Sequence, residues 1–271
     1  RGLYPKKWSP EANTLTIGPS HTQMKLKLLD LFSGIGGFSL GFEKTGGFET
    51  IAFCEKDKFC QKVLAKHWNN IKIYDEIRNL KGIQADVITG GFPCQPFSTA
   101  GKRKGTDDDR YLWDETLRVI AETKPIWFAG ENVEGIINIE GGTVLQQIQK
   151  DLEAENFQVQ CFVIPASGIG AWHQRKRVWI IANSSSKRLE RQHQKSPTFS
   201  WQDKRRFIGE QTGKRKEESW WQIESKLRGV PDGISYELDK DRTNRIKALG
   251  NSIVPEIAYE IAKAILVAEN G

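Results

Sequence analysis

Short apolar runs of four to seven residues alternate along the chain with longer stretches whose apolar positions recur every three to four residues. The first kind reads as buried strand, the second as amphipathic helix. Leu26–Leu31 (LKLLDL), Thr50–Cys54 (TIAFC), Ile71–Tyr74 (IKIY), Asp86–Thr89 (DVIT), Ile126–Ala129 (IWFA), Gln158–Ile164 (QVQCFVI) and Val178–Ala182 (VWIIA) are the strand candidates. Helical spacing follows the first of them to about Glu43 and returns at Asp57–His67, Tyr111–Glu122 and Gly142–Asn156. Pro125 stops the third helix. Gly250-Asn251-Ser252 reads as a turn, and Pro255 opens a last helix over 256–268, with Ile257, Ile261 and Ile265 along one face. Strands and helices in alternation predict an α/β fold: a doubly wound, mostly parallel sheet with helices on both faces. The last helix is expected to return beside the first strand.

Two stretches break the rhythm. Residues 1–23 follow neither period and contain three prolines, which reads as an arm or loop. Met24 is the only methionine and leads directly into the first strand. The native reading frame is expected to start there, with the arm as an extension, and the intact mass of the natively expressed protein decides this. Residues 183–240 lack long apolar runs and carry most of the charge asymmetry. Between 187 and 216 stand ten Lys/Arg (187, 188, 191, 195, 204, 205, 206, 214, 215, 216) and three acids, a local charge of +7 against +6 for the whole chain. Charge of one sign gathered in one segment suits a polyanion partner, the alternative being a solvated loop. Phe199, Trp201, Phe207, Trp220 and Trp221 interleave with it, as nucleic-acid binding would use, or as a small local core would. The expected division is an arm at 1–23, a main α/β part at 24–183, a basic part at 184–241 and a return to the main part at 242–271.

Composition changes little in this picture. Hydrophobic content of 38% and charged content of 27% are ordinary for a soluble globular protein. No apolar run approaches the length of a membrane span, and nothing resembles a signal peptide. Four cysteines form no C-x-x-C pair and four histidines are scattered, so no metal site is expected. Reduced thiols and a cytosolic setting are expected.

The candidate chemistry gathers at strand ends, where open α/β sheets hold ligands. The first strand runs into Phe32-Ser33-Gly34-Ile35-Gly36-Gly37 and then a helix, a layout that brings backbone N–H groups to a ligand. The spacing is not G-x-G-x-x-G and no Walker lysine follows, which disfavours a dinucleotide or a triphosphate. Glu55 ends the second strand about 20 residues later, placed to accept hydrogen bonds from ribose hydroxyls. Asp75, Glu76 and Ile77 follow the third strand, where a carboxylate can take a purine amino group or simply start a loop. After the fourth strand, Gly90 and Gly91 let the chain turn and Pro93 stiffens it just before Cys94. Lys102–Arg110 is charged and reads as an active-site loop. Glu131 follows the adjacent fifth strand, so a thiol and a carboxylate stand at neighbouring tips, a nucleophile and proton-donor pair. Arg175 and Arg177 are two apart and would share one face of an extended backbone, suiting a phosphate or a base carbonyl.

Taken together, DLFSGIGGF at 30–38, GFPCQPFS at 91–98, ENV at 131–133, RKRVW at 175–179 and GNSIVP at 250–255 resemble the cytosine-5 DNA methyltransferase family of bacteria and phages. The resemblance covers about 24–182 and 242–268, with the basic segment where that family keeps its target recognition domain. It implies a Rossmann-like fold that uses S-adenosylmethionine and releases S-adenosylhomocysteine. Phe32, Gly34, Ile35 and Gly37 would cradle this cofactor, Glu55 would hold its ribose, and Lys56 would lie beside the adenine. Asp75 or Glu76 would read the adenine amino group, with Ile77 next to it; Pro93, Leu112, Asn251 and Ser252 would complete the pocket. Cys94 would be the nucleophile, Glu131 the cytosine-binding acid, and Arg175 and Arg177 helpers near the flipped base. Lys187, Arg188, Lys204, Arg205, Arg206, Lys214, Arg215 and Lys216 are the candidate DNA contacts.

The partner implied is double-stranded DNA, met by a monomer, with a paired restriction endonuclease as a further possibility. His173 and Gln174 precede the arginine pair where many relatives place Gln first, and the short recognition part suggests a short target. An RNA (tRNA) cytosine-5 methyltransferase of the same fold and a catalytically dead sequence-specific DNA-binding module are the alternatives. An enzyme of the thymidylate synthase type, which also adds a cysteine to carbon 6, needs neither the basic segment nor the glycine-rich turn. Amino-methylating enzymes need a D/N-P-P-Y/F/W tetrapeptide, which the sequence lacks.

Overall fold

The computed structural model describes residues 25–93, 112–171, 173–184 and 242–270. The arm with Met24, Cys94, Lys102–Arg110 and the basic segment with Lys187, Arg188, Lys204, Arg205, Arg206, Lys214, Arg215 and Lys216 lie outside the described residues. The strands are β1 (Leu26–Leu31), β2 (Phe48–Cys54), β3 (Lys72–Tyr74), β4 (Val87–Gly90), β5 (Trp127–Val133), β6 (Phe157–Ile164) and β7 (Arg177–Ser184). The helices are α1 (Gly37–Glu43), α2 (Lys58–His67), α3 (Trp113–Thr123), α4 (Thr143–Ala154), α5 (Arg242–Asn251) and α6 (Pro255–Asn270). None is long and apolar enough to cross a membrane.

One sheet holds all seven strands in the order β3-β2-β1-β4-β5-β7-β6. The strands from β1 to β5 pair in parallel, and β7 runs antiparallel to both β5 and β6. The expected doubly wound, mostly parallel sheet is therefore present, with one reversed strand near its edge. Chain order runs outward from β1 in one direction through β2 and β3, and in the other through β4 and β5. The carboxyl ends of β1 and β4 thus flank the switch point, where such sheets open a crevice.

Alternation along the central strands sends side chains to two cores. Leu29 and Leu31 of β1, Ile88 of β4 and Phe128 of β5 pack with Ile120 of α3 and Ile148 and Leu152 of α4. Leu28, Val87 and Ala129, one position out of step, pack with Phe38 and Phe42 of α1 and Ile257, Ala258 and Ile265 of α6. Helices therefore cover both faces, and the last one does return to the first strand's neighbourhood. Asp30 lies in step with the second set, fully buried. Its carboxylate accepts hydrogen bonds from Ser39 Oγ of α1 at 2.8 Å and Thr89 Oγ1 of β4 at 2.9 Å. Burial pushes this carboxyl up to about 7 against the pull of those two donors.

Two sequence expectations need correction. The fifth strand does not end at Ala129: it continues through Glu131 to Val133, because β7 pairs with it over its whole length, from Trp127↔Asn183 to Val133↔Arg177. Its other neighbour, β4, stops at Gly90 opposite Gly130, so Glu131 stands on an overhang at the carboxyl end of β5, the end of the strand where it was expected. Gly250-Asn251-Ser252 is not simply a turn: Gly250 and Asn251 close α5, and the chain turns at Ser252. Among the residues of α5 whose burial is described, only Ala248 is buried, so the helix lays no apolar stripe on the core.

α1 and α6 approach closely because α1 carries glycine where they touch. A Cβ on Gly41 would overlap the Pro255 carbonyl and lie 2.7 Å from the Ala258 Cβ; one on Gly37 would lie 2.8 Å from the Ile253 carbonyl oxygen. Gly41→Ala is expected to destabilise the fold by about 1–3 kcal/mol through overpacking, read as a lower urea midpoint with unchanged slope.

Candidate active site

The turn after β1 is built on left-handed backbone: Phe32 has φ +51° and Gly34 φ +55°. For Phe32 this costs on the order of 1–3 kcal/mol, so neighbouring contacts must hold it. Ser33 supplies one, its hydroxyl donating to the Asp30 carbonyl at 2.6 Å and its N–H to the Cys54 carbonyl at 3.2 Å. Glu55, just past β2, supplies another: its Oε2 accepts from Gly34 N–H and its Oε1 from Asp57 N–H, each at 2.7 Å. Burial raises the Glu55 carboxyl above the ordinary range, while these N–H groups draw it down.

A Cβ built on Gly34 meets nothing within 4 Å, so open space lies beside the turn. Glu76 is one-quarter exposed, 3.9 Å from Lys56 Nζ and 3.7 Å from Arg78, whereas Asp75 is two-thirds exposed and 3.9 Å from Lys58. Ile77 is buried, and Ile35 and Leu112 are half-buried. The structure thus distinguishes the two acids by placement: Glu76 is turned toward Lys56, Asp75 outward.

Across the switch point, β4 leads into Gly91, Phe92 and Pro93, the last described residue before Cys94. Asn132 of β5, itself buried, donates from Nδ2 to the Phe92 carbonyl at 2.8 Å and accepts from Val133 N–H at 2.9 Å. The Phe92 ring packs on Trp113 at 5.0 Å between centroids, and the Trp113 indole N–H donates to Asp151 at 2.8 Å. Glu131 lies beside this strand end: a Cβ on Gly91 would sit 3.5 Å from Glu131 Oε2 and 3.6 Å from the Ile253 Cδ1. Arg177 Nε stands 3.1 Å from Glu131 Oε1. Burial outweighs the attraction of Arg177 and of Arg175, and the Glu131 carboxyl is pushed up to about 7.

The arginine pair does not share one face. Strand β7 begins at Arg177, and Arg175 before it has φ +29°, so the backbone there is not extended. Arg175 Nη2 donates instead to the carbonyl oxygens of Gly250 and Ser252, at 2.8 Å each. Asn251 is exposed and Ser252 half-buried in that same turn. Sequence reading missed Asp30, the Asn132 clamp, the Trp113–Asp151 bond and the 3.2 Å ion pair between Lys247 and Asp57. An acid inside an otherwise apolar strand was the one signal that marked Asp30; the others join residues distant in sequence and leave no local pattern.

Residues 26–228 match the family model described as C-5 cytosine-specific DNA methylase. The chain belongs to this family. Among curated relatives, the type II methyltransferase M.Bsp6I of Bacillus sp. (strain RFL6) is 38% identical over 162 residues, covering 58% of this chain and 51% of that protein. The type II methyltransferase M.SsoII of Shigella sonnei is 32% identical over 183 residues, covering 66% and 48%. The chain spans about half the length of these relatives. The crystal structure of S. pombe Dnmt2 methyltransferase superposes with a TM-score of 0.63 over 88% of this chain and 98% of that one, at 15% identity, which is a likeness of fold.

The Asn132 clamp yields a test. Asn132→Ala leaves the buried Phe92 carbonyl without its donor and should lower unfolding stability by about 1–3 kcal/mol in denaturant titration.

Proposed function

We propose that this protein is a DNA (cytosine-5-)-methyltransferase, taking a methyl group from S-adenosylmethionine to carbon 5 of a cytosine flipped out of duplex DNA. The observation that carries this reading is the place of Glu131, 13% exposed, 3.1 Å from Arg177 Nε and set against Gly91, three residues before Cys94; burial pushes its carboxyl up to about 7. A group at that pKa holds a proton near neutral pH and can hand it on.

The residues at the other side of the switch point fit the cofactor. The open space at Gly34, the carboxylate of Glu55 at its rim and the acids 75 and 76 suit an adenosine carrying a positive sulfonium. Glu55 would take the ribose hydroxyls on its outward lone pairs; Phe32, Gly34, Ile35 and Gly37 would frame the pocket. Lys56, Glu76 and Ile77 would bound the adenine, and Pro93, Leu112, Asn251 and Ser252 the remaining wall. When bound, S-adenosylmethionine supplies an electrophilic methyl group.

Carbon 5 of cytosine is too poor a nucleophile to take that methyl group unaided. Addition of the Cys94 thiolate at carbon 6 makes the ring enamine-like and carbon 5 nucleophilic. Glu131 donates its proton to ring nitrogen 3 and stabilises the adduct, while Arg177 fixes the Glu131 carboxyl. After transfer a base removes the carbon 5 proton, and elimination frees the thiol. The buried thiols of Cys54 and Cys60 are pushed up to about 12 and about 11, which keeps them protonated and inert. Because the target carbon is closed within the stacked duplex, the base must be extruded, at a few kcal/mol. The basic segment 187–216 would hold the duplex. The type II designation of the curated relatives extends the proposal to a restriction endonuclease of matching specificity.

Labelled methyl transfer to duplex DNA, with bisulfite sequencing of DNA from expressing cells, tests the reading. Transfer to tRNA and not to DNA would move the activity to RNA, and no transfer to either would leave a binding module. Cys94→Ala is expected to abolish transfer while keeping cofactor affinity. Glu131→Gln should lower kcat by roughly 10²–10⁴-fold, the range for a missing general acid. Because Glu131 must carry its proton, wild-type kcat should fall as pH rises above about 7, and the glutamine variant should lose that limb.

Reversing Lys204, Arg205 and Arg206 to Glu should weaken binding to all duplexes and flatten the slope of log affinity against log salt, by about 0.9 for each phosphate no longer neutralised. An unchanged slope assigns these residues to a solvated surface.

A further inference from the structure

We propose that Arg175 is a positioning residue that clamps the 250–252 turn against the cofactor side of the crevice, and not a contact to the flipped base. The inference rests on the methyl-transfer reading given above. It starts from the two 2.8 Å bonds that Arg175 Nη2 donates to the carbonyls of Gly250 and Ser252. One nitrogen with two hydrogens thereby ties the end of α5 to the first residue past it, on either side of Asn251.

The Gly250 carbonyl needs a donor: Gly250 and Asn251 are the last residues of α5, and the final carbonyls of a helix have no partner within it, while the Ser252 carbonyl lies just past the helix end. A guanidinium there satisfies the carbonyls and complements the negative end of the helix. The left-handed backbone at Arg175, φ +29°, costs free energy for a residue with a side chain, and persists where surrounding contacts hold it. Both features point to a side chain fixed in place before any base arrives.

The clamped turn faces the cofactor side by its neighbours. Ile253, next in the chain, lays its carbonyl against Gly37 at the end of the glycine-rich turn. Lys247, one turn earlier in α5, pairs at 3.2 Å with Asp57, the N-cap of α2 two residues beyond Glu55. α5 and its following turn therefore span from the Glu55 rim to the Glu131 overhang, and Arg175 fastens the second end. Arg177 makes the direct ion pair with Glu131, so the two arginines divide the work: one holds the acid, the other holds the wall beside it.

The test is S-adenosylhomocysteine affinity measured by calorimetry without DNA, on the full chain. Arg175→Ala is expected to weaken it by about tenfold, the scale of one charge-assisted hydrogen bond removed from a binding wall. Arg177→Ala should leave it within about twofold. Arg175→Lys keeps the charge near Glu131 but loses the planar fork, so it should fall between the wild type and the alanine variant. It also carries the same readouts should the alanine variant fail to fold. Hydrogen exchange over 249–254 should be faster in both Arg175 variants than in the wild type.

Unchanged affinity and exchange in the Arg175 variants, with kcat alone reduced, would overturn the proposal and return Arg175 to the base side. A wild type that binds no S-adenosylhomocysteine refutes the methyl-transfer reading, while exchange over 249–254 still decides whether the clamp exists.

Discussion

Gly37 and Gly41 leave no side chain between α1 and the chain that returns over 253–258, and the assembly of the crevice hangs on that approach. α1 begins where the turn after β1 ends, so whatever packs on its first residues also borders the turn. The returning chain does this with backbone: the Ile253 carbonyl against Gly37, the Pro255 carbonyl against Gly41. A wall of backbone cannot move aside as a flexible side chain can. The small residues Ala258 and Ala262 of α6 continue the contact, and Ile257 and Ile265 fill the core beneath it. Residues far apart in sequence thus become one rim, with Lys247 and Arg175 fastening its two ends.

Three buried or half-buried carboxyls around this rim share a cause and differ in consequence. Burial raises Asp30, Glu55 and Glu131 alike. Asp30 spends both oxygens on Ser39 and Thr89 inside the core, which ties β1 to α1 and β4 and gives it no outlet for chemistry. Glu55 turns both oxygens to backbone N–H groups, which orients the carboxylate at the end of β2. Glu131 is held at one oxygen by Arg177, while its other oxygen faces Gly91 on the strand end leading to Cys94. The same desolvation thus acts on one carboxyl tied into the core, one held by backbone N–H groups and one paired with an arginine, and what each touches sets it apart from the others.

The strands were legible because parallel strands buried on both faces write continuous apolar runs, and β1 emerged with the bounds its LKLLDL run suggests. The glycine-rich turn and Glu55 were legible because their chemistry lies within a short span. What escaped depends on partners. β5 runs past Ala129 because β7 pairs with it, and no property of ENV alone announces this. Among its described residues α5 buries only Ala248, so burial writes no stripe into its sequence. The two arginines looked equivalent by spacing; the positive φ at Arg175, set by the fold, sends one to Glu131 and the other to α5.

The position of the basic segment follows from where the scaffold is pinned. The chain leaves the sheet at Ser184, whose N–H donates to the Ile126 carbonyl at 2.9 Å, and it returns in α5, held by Lys247. Between two fixed ends the entropic cost of closing the intervening chain grows only logarithmically, about 0.6 kcal/mol for each doubling of length. Burying one isoleucine of α6 contributes about 1.5–3 kcal/mol, and Ile257 and Ile265 are both buried. The return of α6 therefore outweighs wide variation in the length of what precedes it. A segment in this place can change in length and sequence at little cost to the walls of the crevice.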